Sequence, residues 1–359
     1  MRPSVSSYLN AGASGVPATQ GGAIRKSWAD LCRVFAIFGV IVIHAGGAIL
    51  YQYGKVPLTE WMSSNALESL TRCSVPLFVM LSGALLLKAD ARPFGILDVA
   101  RRVKKLLIPL LTWNVAYLCY VSHYTGQPID WFSMLVTPPM YHLWFVYMVI
   151  GLYLLLPVFQ ALFQLLLQRR DLRLYLLGFW FIVTSVPVFF PIPLLALLQQ
   201  SSFFGYGGYF LMGGLLASLA PARLSTRAWA WIYLAAVVAT FIVTLWSSIR
   251  AHSLIQTAYT YFSPNVVVAS VAAFILFTRV QIPAALSRPL MWVSEKSFLV
   301  FFMHVVILQQ VAQSETAGAI SQHVPAALSI LAVSFATYLV CLGISAAIRL
   351  VPGAGSVFG

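Results

Sequence analysis

Ten stretches of this chain stay apolar for close to the length of a membrane-crossing helix, and that recurrence limits the fold more than any single motif. A helix needs about 20 predominantly apolar residues to cross the roughly 30 Å hydrocarbon core of a bilayer. The stretches cover approximately 28–50, 67–87, 105–122, 140–165, 173–191, 202–220, 228–248, 264–279, 291–312 and 324–349. The sequence therefore predicts an all-α polytopic membrane protein with about ten transmembrane helices. Composition agrees, since 60% of residues are hydrophobic and only 9% charged, a balance foreign to soluble domains.

Lys and Arg accumulate on the cytoplasmic side of membrane proteins. One set of connections holds Arg25 and Lys26, the run from Lys88 to Lys105, then Arg169, Arg170, Arg173, Arg223, Arg227, Arg279, Arg288 and Arg349. The alternate connections hold only Lys55, Arg250 and, at a helix mouth, Arg72, and 123–139 has neither Lys nor Arg. Both termini are thus expected in the cytoplasm. The net charge of +13 follows from this bias and calls for no nucleic acid. Residues 1–26 read as a disordered cytoplasmic tail, 27–350 as one transmembrane domain, and 351–359 as a short C-terminal tail. No cleavable signal peptide is expected. The cysteines Cys32, Cys73, Cys119 and Cys341 fall in or beside apolar stretches at no metal-binding spacing, and read as small buried hydrophobes. No metal and no bound cofactor is expected.

The first apolar stretch carries Asp30, Arg33 and His44. Arg33 and His44 lie about 16 Å apart along a helix axis and project from nearly the same face. Ionisable groups inside a membrane are costly and mark functional sites. His44 is either a neutral histidine bonded within the bundle or a general base or transient acyl acceptor. Arg33 either pairs with Asp30 and snorkels or grips a phosphate or carboxylate from the cytoplasm. In the second stretch Arg72 stands at the outer mouth, Pro76 interrupts backbone bonding, and Ser82-Gly83 forms a small polar spot. Arg101, Arg102, Lys104 and Lys105 form a basic patch that serves topology and can also attract a nucleotide, coenzyme A or anionic lipid. His142 and Trp144 lie at an outer boundary, as an interfacial anchor or facing an external substrate. His304 is a further intramembrane histidine, two to three turns beyond Glu295-Lys296.

These residues, taken together, resemble the membrane-bound acyltransferase-3 family of bacterial multi-pass proteins. The resemblance rests on Asp30, Arg33 and His44 with ten residues between the last two, on VPLFVMLSGALLL (Val75–Leu87), on HLWFVYMVIGLYLLLP (His142–Pro157), as in the glycan O-acetyltransferase branch, and on EKSFLVFFMH (Glu295–His304). It spans roughly 27–312 in register, with Phe-Phe-Met in place of the usual Tyr-Leu-Ile before His304. The resemblance implies a bacterial inner-membrane O-acyltransferase. It would move an acyl group, usually acetyl, from cytoplasmic acyl-CoA to a hydroxyl of a glycan or lipid-linked saccharide, within reach of a polysaccharide synthase or export complex. It makes His44 the catalytic base or acyl relay and Arg33 the contact to the donor. Arg72, His142, His304, Asp30 and Ser82 become substrate-binding candidates. The rival readings are a transporter or flippase without covalent chemistry, and an accessory subunit of a polysaccharide synthase that only binds lipid or glycan. Few intramembrane carboxylates speak for a proton-coupled carrier.

Overall fold

The computed structural model describes residues 27–90, 92–131, 137–190, 192, 202–219, 223–315, 318 and 323–359. The expected tail at 1–26 and the run around 191–200 lie largely or wholly outside them. The described residues form helices joined by short turns, with no strand among them. Among the described residues, seven helices are long and apolar enough to cross a membrane, or up to nine if each of two bent pairs is one span. The candidate spans among the described residues thus number seven to nine, beside the ten apolar stretches of the sequence. The apolar stretch at 202–220 forms the helix Ser202–Ser218, which at 17 residues is short for a span.

The first helix, α1 (Ser27–Leu50), is the hub of the bundle. Packed against it are α2 (Leu58–Thr71), α3 (Ser74–Leu86), α10 (Pro264–Arg279), α11 (Ala284–Ser294), α12 (Ser297–Ala312) and α13 (Ala326–Ile348). Around this centre stand α4 (Ile96–Thr125), α5 (Trp144–Leu154), α6 (Leu156–Gln168), α7 (Arg170–Phe189), α8 (Ser202–Ser218) and α9 (Thr226–Ala251). Their outward faces are apolar. On α9 the exposed side chains Trp231, Leu234, Val238, Ile242, Trp246 and Ile249 recur at three- and four-residue spacing, the stripe a helix presents to lipid.

Most of helix α2 lies outside the apolar stretch 67–87. Its Ser64, Asn65, Glu68 and Ser69 are polar yet buried, and each has partners that hydropathy does not register. The Ser64 hydroxyl donates to the Gly46 carbonyl at 2.8 Å, and Asn65 Nδ2 donates to the Phe241 carbonyl at 3.1 Å. As a result α2 and α3 form one candidate span, Leu58–Leu86, with its break at Arg72 and Cys73. Pro76 causes the break, because it has no N–H for the Arg72 carbonyl four residues back. Arg72 therefore sits at mid-span and not at an outer mouth. The stretches at 140–165 and 291–312 become the bent pairs, with angles of 66° and 57°. Pro157 stands in the first turn after the former break.

Helices α3 and α8 meet backbone to backbone. A Cβ on Gly83 would stand 1.8 Å from the Phe210 carbonyl oxygen, and one on Gly213 would stand 1.9 Å from that of Met80. Only glycine permits such an approach, the usual means of helix association in lipid. The segment read as a C-terminal tail ends in α14 (Ala354–Phe358), where the Phe358 carbonyl accepts from Trp113 Nε1 on α4 at 3.1 Å. Cys32, Cys73 and Cys341 are buried as expected, whereas Cys119 is exposed on the outer face of α4. It reads there as a small lipid-facing residue, not a core one.

Candidate active site

Two clusters stand on α1, and cavities link them. At the start of the helix the buried Asp30 accepts from Ser294 Oγ at 2.6 Å and from Arg33 Nη1 at 3.3 Å. The same Nη1 donates to Ser294 Oγ at 2.6 Å. Asp30 and Ser294 thus hold the guanidinium from behind. Arg33 itself lines a cavity of about 470 Å³ together with Ser82, Phe78, Arg102, Tyr153 and Ser297. Ser82 donates its hydroxyl back to the Phe78 carbonyl at 2.9 Å. Asp30 is therefore a support for Arg33 and, like Arg72 and His304, lines none of the described cavities, whereas Ser82 and His142 do.

About 16 Å further along the helix axis three histidines converge. The His44 ring stacks on that of His304 with centroids 5.3 Å apart, and His142 meets His304 edge-on at 5.0 Å. Tyr141 adds its hydroxyl 3.5 Å from His44 Nδ1. The His304 and His142 rings are fixed by backbone carbonyls, which can only accept. His304 Nδ1 lies 2.6 Å from the Phe301 carbonyl, so that nitrogen carries the proton and the buried Nε2 is left without a hydrogen-bond partner. His142 Nε2 donates to the Phe302 carbonyl at 3.4 Å, leaving its Nδ1 buried and unpartnered. Tyr117 donates to the same Phe302 carbonyl at 2.5 Å. Buried bare imidazole nitrogens are uncommon and call for a functional explanation.

Four cavities share walls in a series. A basic one of about 760 Å³ is lined by Arg101, Arg102, Lys104, Lys105 and Asp98. It shares Arg102, Leu106 and Phe298 with the Arg33 cavity. That cavity shares Phe78, Phe145 and Phe301 with a small chamber of about 40 Å³ containing His44, His142 and Tyr261. His44 in turn also lines a cavity of about 450 Å³ with Tyr141, Gln309 and Ser329. His44 thus lines two cavities, and three phenylalanines stand between its chamber and the Arg33 cavity.

Arg72, the remaining candidate, is held near the chamber by residues the sequence reading passed over. It pairs with Glu68 one turn earlier at 3.1 Å, with side chains 12% and 2% exposed. Its guanidinium lies 4.4 Å from the Tyr259 ring centroid and 5.8 Å from that of Tyr261. The four-residue spacing of Glu68 and Arg72 was the available signal for that pair. For Tyr141 the signal was adjacency to His142. Nothing in the sequence linked Tyr261 or Ser294 to α1. Among the described residues no group of His, Cys, Asp and Glu could hold a metal ion.

The family model for an acyltransferase domain matches residues 26–346. No curated protein and no solved structure matches the chain.

Proposed function

This chain belongs to the acyltransferase-3 family, and from that premise we propose that it transfers an acyl group, acetyl first among candidates, from cytoplasmic acyl-CoA to a hydroxyl of an exported glycan or lipid-linked saccharide. The observation that carries this reading is the series of cavities meeting at His44. The basic cavity suits the phosphates of coenzyme A, since Arg and Lys bind phosphate through charge-assisted hydrogen bonds. The Arg33 cavity then takes the pantetheine arm and the thioester. The cavity beside Tyr141, Gln309 and Ser329 admits the acceptor.

A thioester is already activated, so the enzyme must make the acceptor oxygen nucleophilic and stabilise the charge that develops on the acyl oxygen. His44, where the donor and acceptor cavities meet, takes the hydroxyl proton as the oxygen attacks. The carbon–sulfur bond breaks and the proton passes to the departing thiolate, so thioester and alcohol give ester and free thiol. The phenylalanine constriction keeps bulk water from the thioester, where hydrolysis would compete. On this reading the basic cavity and both termini lie in the cytoplasm, which the positive-inside bias supports, and the membrane is the inner membrane of a bacterium.

The test is release of free thiol from acyl-CoA by the purified protein in liposomes, which a carrier or a binding subunit would not produce. Arg102 lies on the wall between the two donor cavities, and its guanidinium rests 5.1 Å from the Phe94 ring centroid. A hydrogen bond to a charged group contributes about 1.5–3 kcal/mol. Arg102→Gln should therefore raise the KM for acyl-CoA by roughly 10- to 100-fold while kcat changes little. A steady-state titration of the donor checks this.

A further inference from the structure

The small chamber that holds His44 is also walled by Tyr261, a residue without a role in the reaction as described so far. Behind it is a buried arrangement with no evident reason to exist in a span. Arg72 is enclosed by Glu68 at 3.1 Å, the Tyr259 ring at 4.4 Å and the Tyr261 ring at 5.8 Å. The surroundings are pinned in turn. The Tyr259 hydroxyl donates to Asn65 Oδ1 at 2.5 Å, and the Tyr261 carbonyl accepts from the Tyr209 hydroxyl at 2.5 Å. Replacing a buried ion pair with well-packed apolar residues is often neutral or stabilising, so stability alone does not account for placing one here.

The chemistry accounts for it. The Arg72 guanidinium lies 5.8 Å from the Tyr261 ring centroid, and its positive charge draws electron density from the phenol oxygen. A charge acts strongly over such a distance in a low-dielectric interior, which makes the Tyr261 O–H a stronger donor. Acyl transfer needs such a donor where the acyl oxygen becomes negative. We propose that Tyr261, backed by the Arg72–Glu68 pair, donates the hydrogen bond that holds the acyl carbonyl oxygen in the chamber it shares with His44. When the acceptor oxygen attacks, the carbonyl electron pair moves onto the oxygen facing Tyr261. It returns as the carbon–sulfur bond breaks, while His44 carries the hydroxyl proton to the sulfur. Arg72 and Glu68 are positioning residues, with Glu68 neutralising the guanidinium and fixing its place. The inference rests on the reading that the thioester reaches the His44 chamber.

The experiment uses the full chain in liposomes with carbonyl-labelled acetyl-CoA, and records the infrared carbonyl stretch of the bound thioester. Wild type should lower the stretching frequency relative to free acetyl-CoA, and His44→Ala should keep that shift. Tyr261→Phe, which retains the ring against Arg72, should abolish it. The single-turnover rate of thiol release, with a bacterial envelope extract supplying acceptor, should fall roughly 100- to 1,000-fold in Tyr261→Phe at unchanged acetyl-CoA affinity. Glu68→Gln should weaken both readouts in the same direction, and Glu68→Asp should restore part of them. If Glu68→Gln does not assemble, Tyr261→Phe decides alone. A carbonyl shift that survives Tyr261→Phe overturns the inference and leaves the acyl-CoA reading standing. Wild-type protein that does not bind acetyl-CoA overturns both.

Discussion

Replacing His44 with alanine should lower acyl transfer by roughly 100- to 10,000-fold, the range a positioned general base contributes, with the protein still inserted and monodisperse. His44 is half-buried between two cavities, so removing its ring enlarges a space that already exists and leaves no unpaired buried charge. The packing lost is its contact with the His304 and Tyr141 rings at 5.3 and 5.1 Å. His44→Gln keeps more of that volume and should be equally inactive, which separates lost chemistry from lost packing. The measurement is thiol release and labelled ester formation by each purified variant beside wild type. Near-wild-type turnover in folded His44→Ala would remove the residue from the mechanism.

Gly83→Val should prevent assembly altogether. The added Cβ would fall 1.8 Å from the Phe210 carbonyl oxygen and 2.8 Å from its carbon, and backbone on the facing helix cannot rotate away as a side chain would. Helices α3 and α8 would have to part, opening the core that contains Met80, Tyr209 and Phe210. Ordinary overpacking costs about 1–3 kcal/mol, and separating two helices along their contact costs more. Size-exclusion chromatography of the detergent-solubilised variant should show aggregate in place of a monodisperse peak. Gly343 on α13 is the control, since a Cβ there meets nothing within 4 Å. Gly343→Ala should elute as wild type.

The outline of this fold is legible because hydropathy reports on lipid-facing helices. It fails where a helix is buried among other helices and carries polar groups that they satisfy. Helix α2 shows this most clearly: Ser64 and Asn65 lie outside the apolar stretch 67–87, yet they are buried in the bundle together with Glu68 and Ser69 at that stretch's start. For the same reason the sequence puts Arg72 at an outer mouth, whereas the span Leu58–Leu86 puts it near the middle. Hydropathy also hid Glu68, an intramembrane carboxylate answered by an arginine one turn away. The beginning of α4 was missed for a different reason, since Asp98, Arg101 and Arg102 make its first turns polar although they remain helical. Arg33, His44, His142 and His304 could be named from the sequence because their spacing within single helices is readable. Tyr261 and Ser294 could not, because they meet α1 only through contacts more than two hundred residues away along the chain.

The central claim is that acyl-CoA gives up its acyl group in this protein. Its most direct test is incubation of the purified chain in liposomes with labelled acetyl-CoA and a bacterial envelope extract, following free thiol and label in the saccharide and lipid fractions together. Stoichiometric appearance of thiol and ester label, absent from protein-free liposomes, is the predicted result. Folded protein that releases no thiol from acetyl-, succinyl- or longer acyl-CoA would contradict the account and return the chain to the carrier or accessory readings.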